Sequence, residues 1–208
     1  GVQTCALPIS ALLEHLEPRI GSEPVVVLCA SGGGPAALAF ASRHPDRTRA
    51  LVVAMGISGP ISLPSIPRIP GLELLVWSLG TVFWRAFGAP GVARKMVPDA
   101  ANRNRLLADG VATDRLMQLM AANWPLVPRV EGSNNEALQF RERSLDLASI
   151  RAPTLVVHGT ADTNVPFEHG ERTAPEDPGA EFLRVDEADH FVTFTPRSLF
   201  DEALGKVL

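Results

Sequence analysis

Two cysteines in 208 residues, Cys5 and Cys29, are too few for a disulfide framework, so an apolar core must hold the fold. No stretch is long and apolar enough to cross a bilayer. The most hydrophobic run, Leu74 to Trp84, is bracketed by Glu73 and Arg85 and is about half the length a spanning helix needs. No basic start followed by an apolar segment marks a secretory signal, and the expected location is cytoplasmic. The 19 Lys and Arg residues are scattered among 23 Asp and Glu, and the net charge of −4 is mild, which argues against a nucleic-acid surface. Histidines and carboxylates lack metal-ligand spacing, so neither a metal nor another cofactor is expected. What is present is the balance of a globular domain, 46% apolar and 20% charged, with a small neutral or apolar molecule as its default partner.

The opening Gly1 to Ile9 looks like a translated sequencing adapter joined to a reading frame, and fold reasoning therefore starts at Ser10. Ser10 to Ile20 reads as an amphipathic helix with Leu12, Leu13 and Leu16 on one face, stopped by Gly21. Pro24 to Ala30 is a continuous apolar, β-branched run, as expected of a strand buried on both faces of a parallel sheet. Ser31 to Gly34 make a tight turn, Pro35 opens an alanine-rich helix that Pro45 closes, and Leu51 to Met55 is a second buried strand. This strand–helix–strand order is the crossover unit of an α/β sheet.

The pattern then breaks. Pro60, Pro64, Pro67 and Pro70 stiffen a linker that cannot continue a sheet. Between Gly71 and Arg143 the periodicity predicts four or five helices and no strand, with Asp99 and Thr113 as N-caps and Ser133 with Glu136 as a capping box. Strands return at Thr154 to His158 and Ala180 to Val185; Pro166 begins one helix, Thr195 and Pro196 another. The expected organisation is an α/β core from 10–59 and 147–208 with an all-helical insertion, 60–146.

Chemistry is signalled first by Cys29-Ala30-Ser31-Gly32-Gly33, between a buried strand and a helix. A strained strand-to-helix turn lifts a serine hydroxyl clear of the sheet, and the strain needs small residues two before and two after the serine. Gly33 meets that need, while Cys29 stands where G-x-S-x-G has glycine. The following helix N-terminus favours negative charge built up during attack on a carbonyl, and the Gly32 N–H is the expected first oxyanion donor. The alternative is a glycine-rich packing turn. A dinucleotide site, which Gly32, Gly34 and Ala37 superficially fit, needs an acidic residue at the end of the next strand, and Val52 to Gly56 has none.

A serine nucleophile needs a base, and the base an orienting acid. Here the chain resembles the alpha/beta-hydrolase superfamily. Ala152 to Pro166 (Ala-Pro-Thr-Leu-Val-Val-His-Gly-Thr-Ala-Asp-Thr-Asn-Val-Pro) is similar to that family's strand and acid turn, and Asp186 to Phe191 (Asp-Glu-Ala-Asp-His-Phe) to its histidine loop. The resemblance implies Ser31 as nucleophile, Asp162 as acid and His190 as base, in the family's chain order. It also implies an alpha/beta-hydrolase fold with a mainly parallel sheet, whose inserted helices form a cap over the nucleophile. Met55 to Gly59, where some members carry the acid, has no carboxylate. Asp162 as a plain turn residue, and Asp189 as a partner of His190, are the competing readings. His44, His158 and His169 read as structural.

The helical segment holds Trp77, Phe83, Trp84, Phe87, Met117, Met120 and Trp124. Trp77, Trp84 and Trp124 are the candidate substrate-binding residues, for an apolar ester or ketone; the alternative is that these side chains form the cap's own core. The expected activity is carboxylic ester hydrolysis through an acyl-enzyme, with C–C bond hydrolysis, acyl transfer or a cofactor-free haloperoxidase-like reaction as alternatives on the same site. A non-catalytic binding module is the reading from another class. The resemblance also implies that the chain matches only the second half of the family's sheet and lacks the loop giving a second oxyanion donor, worth about two to three orders of magnitude in rate. An exposed apolar edge at Val25 to Leu28, poor solubility and low activity of this chain alone are expected from that.

Overall fold

The computed structural model describes residues 6–63, 73–122, 130–142, 144–176, 179–192, 201–202 and 204–205. The chain divides into two compact units, Gly1–Gly59 with Ser144–Leu208, and Pro60–Arg143.

In the first unit, helix α1 (Ala6–Ile20) precedes strand β1 (Val25–Ala30), helix α2 (Gly34–Arg43) and strand β2 (Thr48–Ala54). Strand β3 (Thr154–Gly159) and strand β4 (Ala180–Val185) complete a parallel four-stranded sheet in the order β1-β2-β3-β4. Parallel neighbours cannot be joined by a tight hairpin, and α2 supplies the crossover from β1 to β2. The β-branched runs explain the core: Leu51, Val52, Val53, Leu155, Val156 and Val157 are almost wholly buried, so the sheet's centre is apolar on both faces. On one face Cys29, Leu51 and Val53 pack against Ala37, Leu38 and Ala41 of α2. On the other, Val52, Ala54, Leu155, Val157 and Val185 meet Ala188 and Val192. Truncating a fully buried leucine such as Leu155 to alanine costs about 2–5 kcal/mol in such packing.

Three expectations are corrected here. The first helix begins at Ala6, ahead of Ser10, and Ile9 and Leu13 pack toward Ala39 and Phe40 while Leu12 is exposed. β2 starts at Thr48, ahead of Leu51. β1 is not buried on both faces: Val27 and Cys29 turn toward α2, but Val26 and Leu28 are 43% and 66% exposed. The reason is lateral, since the layer of Ala188 and Val192 covers β2, β3 and β4, and among the described residues that cluster takes in no β1 side chain.

The second unit is helical, with α3 (Glu73–Met96), α4 (Ala100–Ala108), α5 (Gly110–Ala122) and α6 (Val130–Glu142), and no strand among the described residues. Gly88, at φ 52°, kinks α3 two residues before Pro90. Asp99 caps α4, its carboxylate accepting the Asn102 N–H at 2.7 Å. Thr113 does not cap α5. Asp109 does, accepting the N–H groups of Val111 and Ala112, which starts the helix at Gly110 and leaves Thr113 inside it, donating to the Leu106 carbonyl. Ser133 likewise lies within α6, because the helix is already under way at Val130. In the first unit, helix α7 (Glu168–Glu176) follows the turn at Pro166. Thr195 and Pro196 lie outside the described residues.

Candidate active site

Ser31 follows β1, Asp162 follows β3 and His190 follows β4, so all three stand at the carboxyl edge of one parallel sheet. That edge is where open α/β sheets place ligands. At Ser31 the backbone leaves the extended Ala30 (φ −141°), turns left-handed at φ 50°, makes one 3-10 turn through Gly33 and enters α2. A non-glycine residue in the left-handed region is strained, and it persists only where the surroundings hold it.

Here the hold comes from the loop after β2. The Ile57 N–H donates to the Ser31 carbonyl at 3.1 Å, and the Gly34 N–H closes the turn onto the same oxygen. Gly34 sits against that loop so closely that a Cβ would lie 2.7 Å from Ile57 N and 3.1 Å from Gly56 C. At Gly33 a Cβ would make only ordinary contact, 3.6 Å from the Cys29 Cβ. The steric demand therefore falls on Gly34 rather than on Gly33. Cys29 fits because its side chain faces α2, where burial pushes its thiol up to about 12 and leaves it protonated and inert. Gly32 is exposed, next to Ser31 in the turn that leads into α2.

The acid and histidine loops are built against each other. Thr160 and Ala161 donate their N–H groups to the carbonyls of Val185 and Ala188, and Glu187 N–H donates to Thr160 Oγ1. Gly159 permits the approach, for a Cβ there would come 2.6 Å from the Ala188 carbonyl carbon. Asp162 is buried, and both carboxylate oxygens are occupied. Oδ1 accepts the N–H groups of Asn164 (2.8 Å) and Val165 (3.0 Å); Oδ2 accepts from His190 Nδ1 at 2.8 Å. Burial alone would raise the Asp162 carboxyl, but hydrogen bonds from His158 and His190, the charge of His190 and the Val165 N–H outweigh it and hold it well below the usual range. A carboxylate that stays ionised on Nδ1 leaves Nε2, the opposite ring nitrogen of His190, to face away from it. Asp189 Oδ1 accepts the N–H of Phe191, and the carboxylate on His190 Nδ1 is that of Asp162.

A family sequence model described as serine aminopeptidase, S33, matches residues 5–190. The chain belongs to this family of alpha/beta hydrolases. A 2-hydroxy-6-oxononadienedioate/2-hydroxy-6-oxononatrienedioate hydrolase of Cupriavidus pinatubonensis is 29% identical over 193 residues, covering 91% of this chain and 64% of the relative. A second hydrolase of that description, from Pseudomonas putida, is 31% identical over 164 residues, covering 77% of the chain and 54% of the relative. Among solved structures, an alpha/beta hydrolase fold protein from Nakamurella multipartita superposes with a TM-score of 0.78 at 28% identity, over 96% of this chain and 73% of that one. The chain thus spans under two thirds of the length of these curated relatives.

Of the residues expected from the sequence, Ser31, Gly32, Asp162 and His190, the structure joins Asp162 to His190. The side chains of Trp77 and Trp84, and Trp124 altogether, lie outside the described residues. Two features were missed. The brace on the Ser31 turn between β1 and α2 (the elbow), Met55 to Ile57, was signalled only by Gly56 after an apolar strand; Met55 is itself left-handed at φ 41°. His158, read as structural, has its Nε2 3.3 Å from Asp162 Oδ2, and its four-residue spacing from Asp162 was the available sign. No described helix is long and apolar enough to cross a membrane.

Proposed function

We propose that this chain carries a serine hydrolase site in which Ser31 is the nucleophile, His190 the general base and Asp162 the acid that orients it. The observation that carries the reading is the 2.8 Å bond from His190 Nδ1 to a buried Asp162 oxygen, on the same sheet edge as a serine held at positive φ. His190 Nε2 takes the Ser31 hydroxyl proton as Oγ attacks a carbonyl carbon, and Asp162 stabilises the imidazolium. The oxyanion is met by the Gly32 N–H and the α2 N-terminus. The bond to the leaving group breaks, the leaving group takes the proton from His190, and water releases the acyl group by the same steps in reverse.

For the substrate, the named relatives favour a ketone over an ester. A 2-hydroxy-6-oxo dioate has no ester to hydrolyse, and hydrolysis at a ketone carbonyl breaks a carbon–carbon bond. We therefore place C–C bond hydrolysis of an oxo-acid ahead of simple ester cleavage.

Fluorophosphonate labelling of the chain, with the modified peptide located by mass spectrometry, tests the site. Labelling at Ser31 that disappears in Ser31→Ala supports it. Labelling elsewhere, or the same in both proteins, removes Ser31 as the nucleophile, and folded chain that takes no label leaves a binding module. Turnover of a 2-hydroxy-6-oxo-dienoate against a p-nitrophenyl ester then ranks the two substrate classes.

A further inference from the structure

His158 is the next-to-last residue of β3, four residues before Asp162, and its side chain is wholly buried. Its Nε2 lies 3.0 Å from the Val165 carbonyl oxygen and 3.3 Å from Asp162 Oδ2. A carbonyl only accepts, so the hydrogen is on Nε2 and is shared between the two oxygens. Nδ1 is buried with no hydrogen-bond partner among the described residues and packs against α7, where a Cβ on Gly170 would come within 2.9 Å of it. Phe167 meets the ring edge-on, with centroids 5.8 Å apart. An unpartnered buried nitrogen is costly, and an apolar side chain in that slot would avoid the cost. The Nε2–H must supply something that an apolar residue cannot.

We propose that His158 is a positioning residue: its Nε2–H, anchored in the sheet, keeps the Asp162 carboxylate turned so that Oδ2 faces His190 Nδ1. The proposal rests on the triad reading above. Oδ1 is held by Asn164 and Val165, which belong to Asp162's own turn and move with it. His190 comes from a loop. Of the donors to this carboxylate named here, His158 is the one that stands on a strand, with neighbours on both sides of the sheet. By bonding the Val165 carbonyl as well, it ties the end of the acid turn to β3. In metal sites, hydrogen bonds that orient the groups behind a ligating histidine are worth about 10- to 100-fold in function, and that range sets the scale expected for the same geometric task here.

The test compares His158→Leu with His158→Gln, whose amide nitrogen reaches the Nε2 position. Two readouts are needed: the low-field proton resonance of the His190–Asp162 hydrogen bond, and the rate of fluorophosphonate labelling at Ser31 per folded molecule. In the leucine variant the resonance should broaden or vanish and labelling should slow by about 10- to 100-fold; the glutamine variant should recover both. An unchanged resonance in folded His158→Leu overturns the proposal, as does an equal loss in both variants, which marks a packing role. If the leucine variant does not fold, His158→Asn takes its place, because its shorter amide falls short of Oδ2. The two readings separate cleanly. A wild-type chain that fails to label at Ser31 while the resonance follows His158 sinks the nucleophile and leaves the positioning role standing.

Discussion

Ser58 and His169 bury a polar pair without burying a charge. The Ser58 N–H donates to His169 Nδ1 at 3.1 Å, and Ser58 Oγ and Thr173 Oγ1 both donate to the His169 carbonyl, at 2.8 and 2.7 Å. An imidazole that accepts at Nδ1 has no place there for a proton, and burial pushes His169 below its usual 6.5. The unfolded chain takes up that proton near 6.5 while the folded chain resists it, so the unfolded state binds more protons below that value. Stability from this pair is fully present above about pH 6.5 and falls as pH drops toward the lowered folded value. In His169→Asn, which can still accept the Ser58 N–H but does not titrate, melting temperature should decline less between pH 7 and 5.5 than in the wild type. Equal declines in the two proteins would remove His169 from the pH response.

At the scale of elements, the elbow shows what a sequence exposes and what it hides. The β1–turn–α2 unit was legible because an apolar β-branched run, a small-residue turn and Pro35 are local signals. The same holds for β3 and β4, whose bounds fall within a residue of expectation. The glycine that the elbow cannot replace was not legible, because its neighbours, Gly56 and Ile57, are more than twenty residues further on. Ala at Gly33 meets Cys29 at an ordinary distance; Ala at Gly34 meets backbone that cannot swing aside. Gly34→Ala should therefore cost about 1–3 kcal/mol in denaturant unfolding and sharply slow Ser31 labelling, while Gly33→Ala changes either little. The reverse order would mean that the Ile57 loop does not brace the turn. Caps failed for a related reason: Thr113 and Ser133 carry the right chemistry, but Asp109 competes for the first, and α6 has begun before the second.

For the whole molecule, two liabilities coincide at β1. It is the last strand of the described sheet, paired to β2 alone, so its other edge offers backbone hydrogen-bonding groups to any strand that arrives. Its face away from α2 also presents Val26 and Leu28 to solvent, although β2 and β3 are covered on both sides. An open edge beside an exposed apolar face is the arrangement that draws a second chain into register, and burying one exposed leucine offers about 1.5–3 kcal/mol of driving force. Self-association should thus rise with concentration and be seen by sedimentation velocity. Leu28→Lys places a charge on that face without removing a buried contact, and should shift the chain toward monomer at unchanged melting temperature. The buried Cys29 thiol, pushed up to about 12 and packed under α2, is not placed to link two chains. Association that persists in Leu28→Lys would move the sticky surface elsewhere, to the exposed Leu79 and Val82 of α3 first.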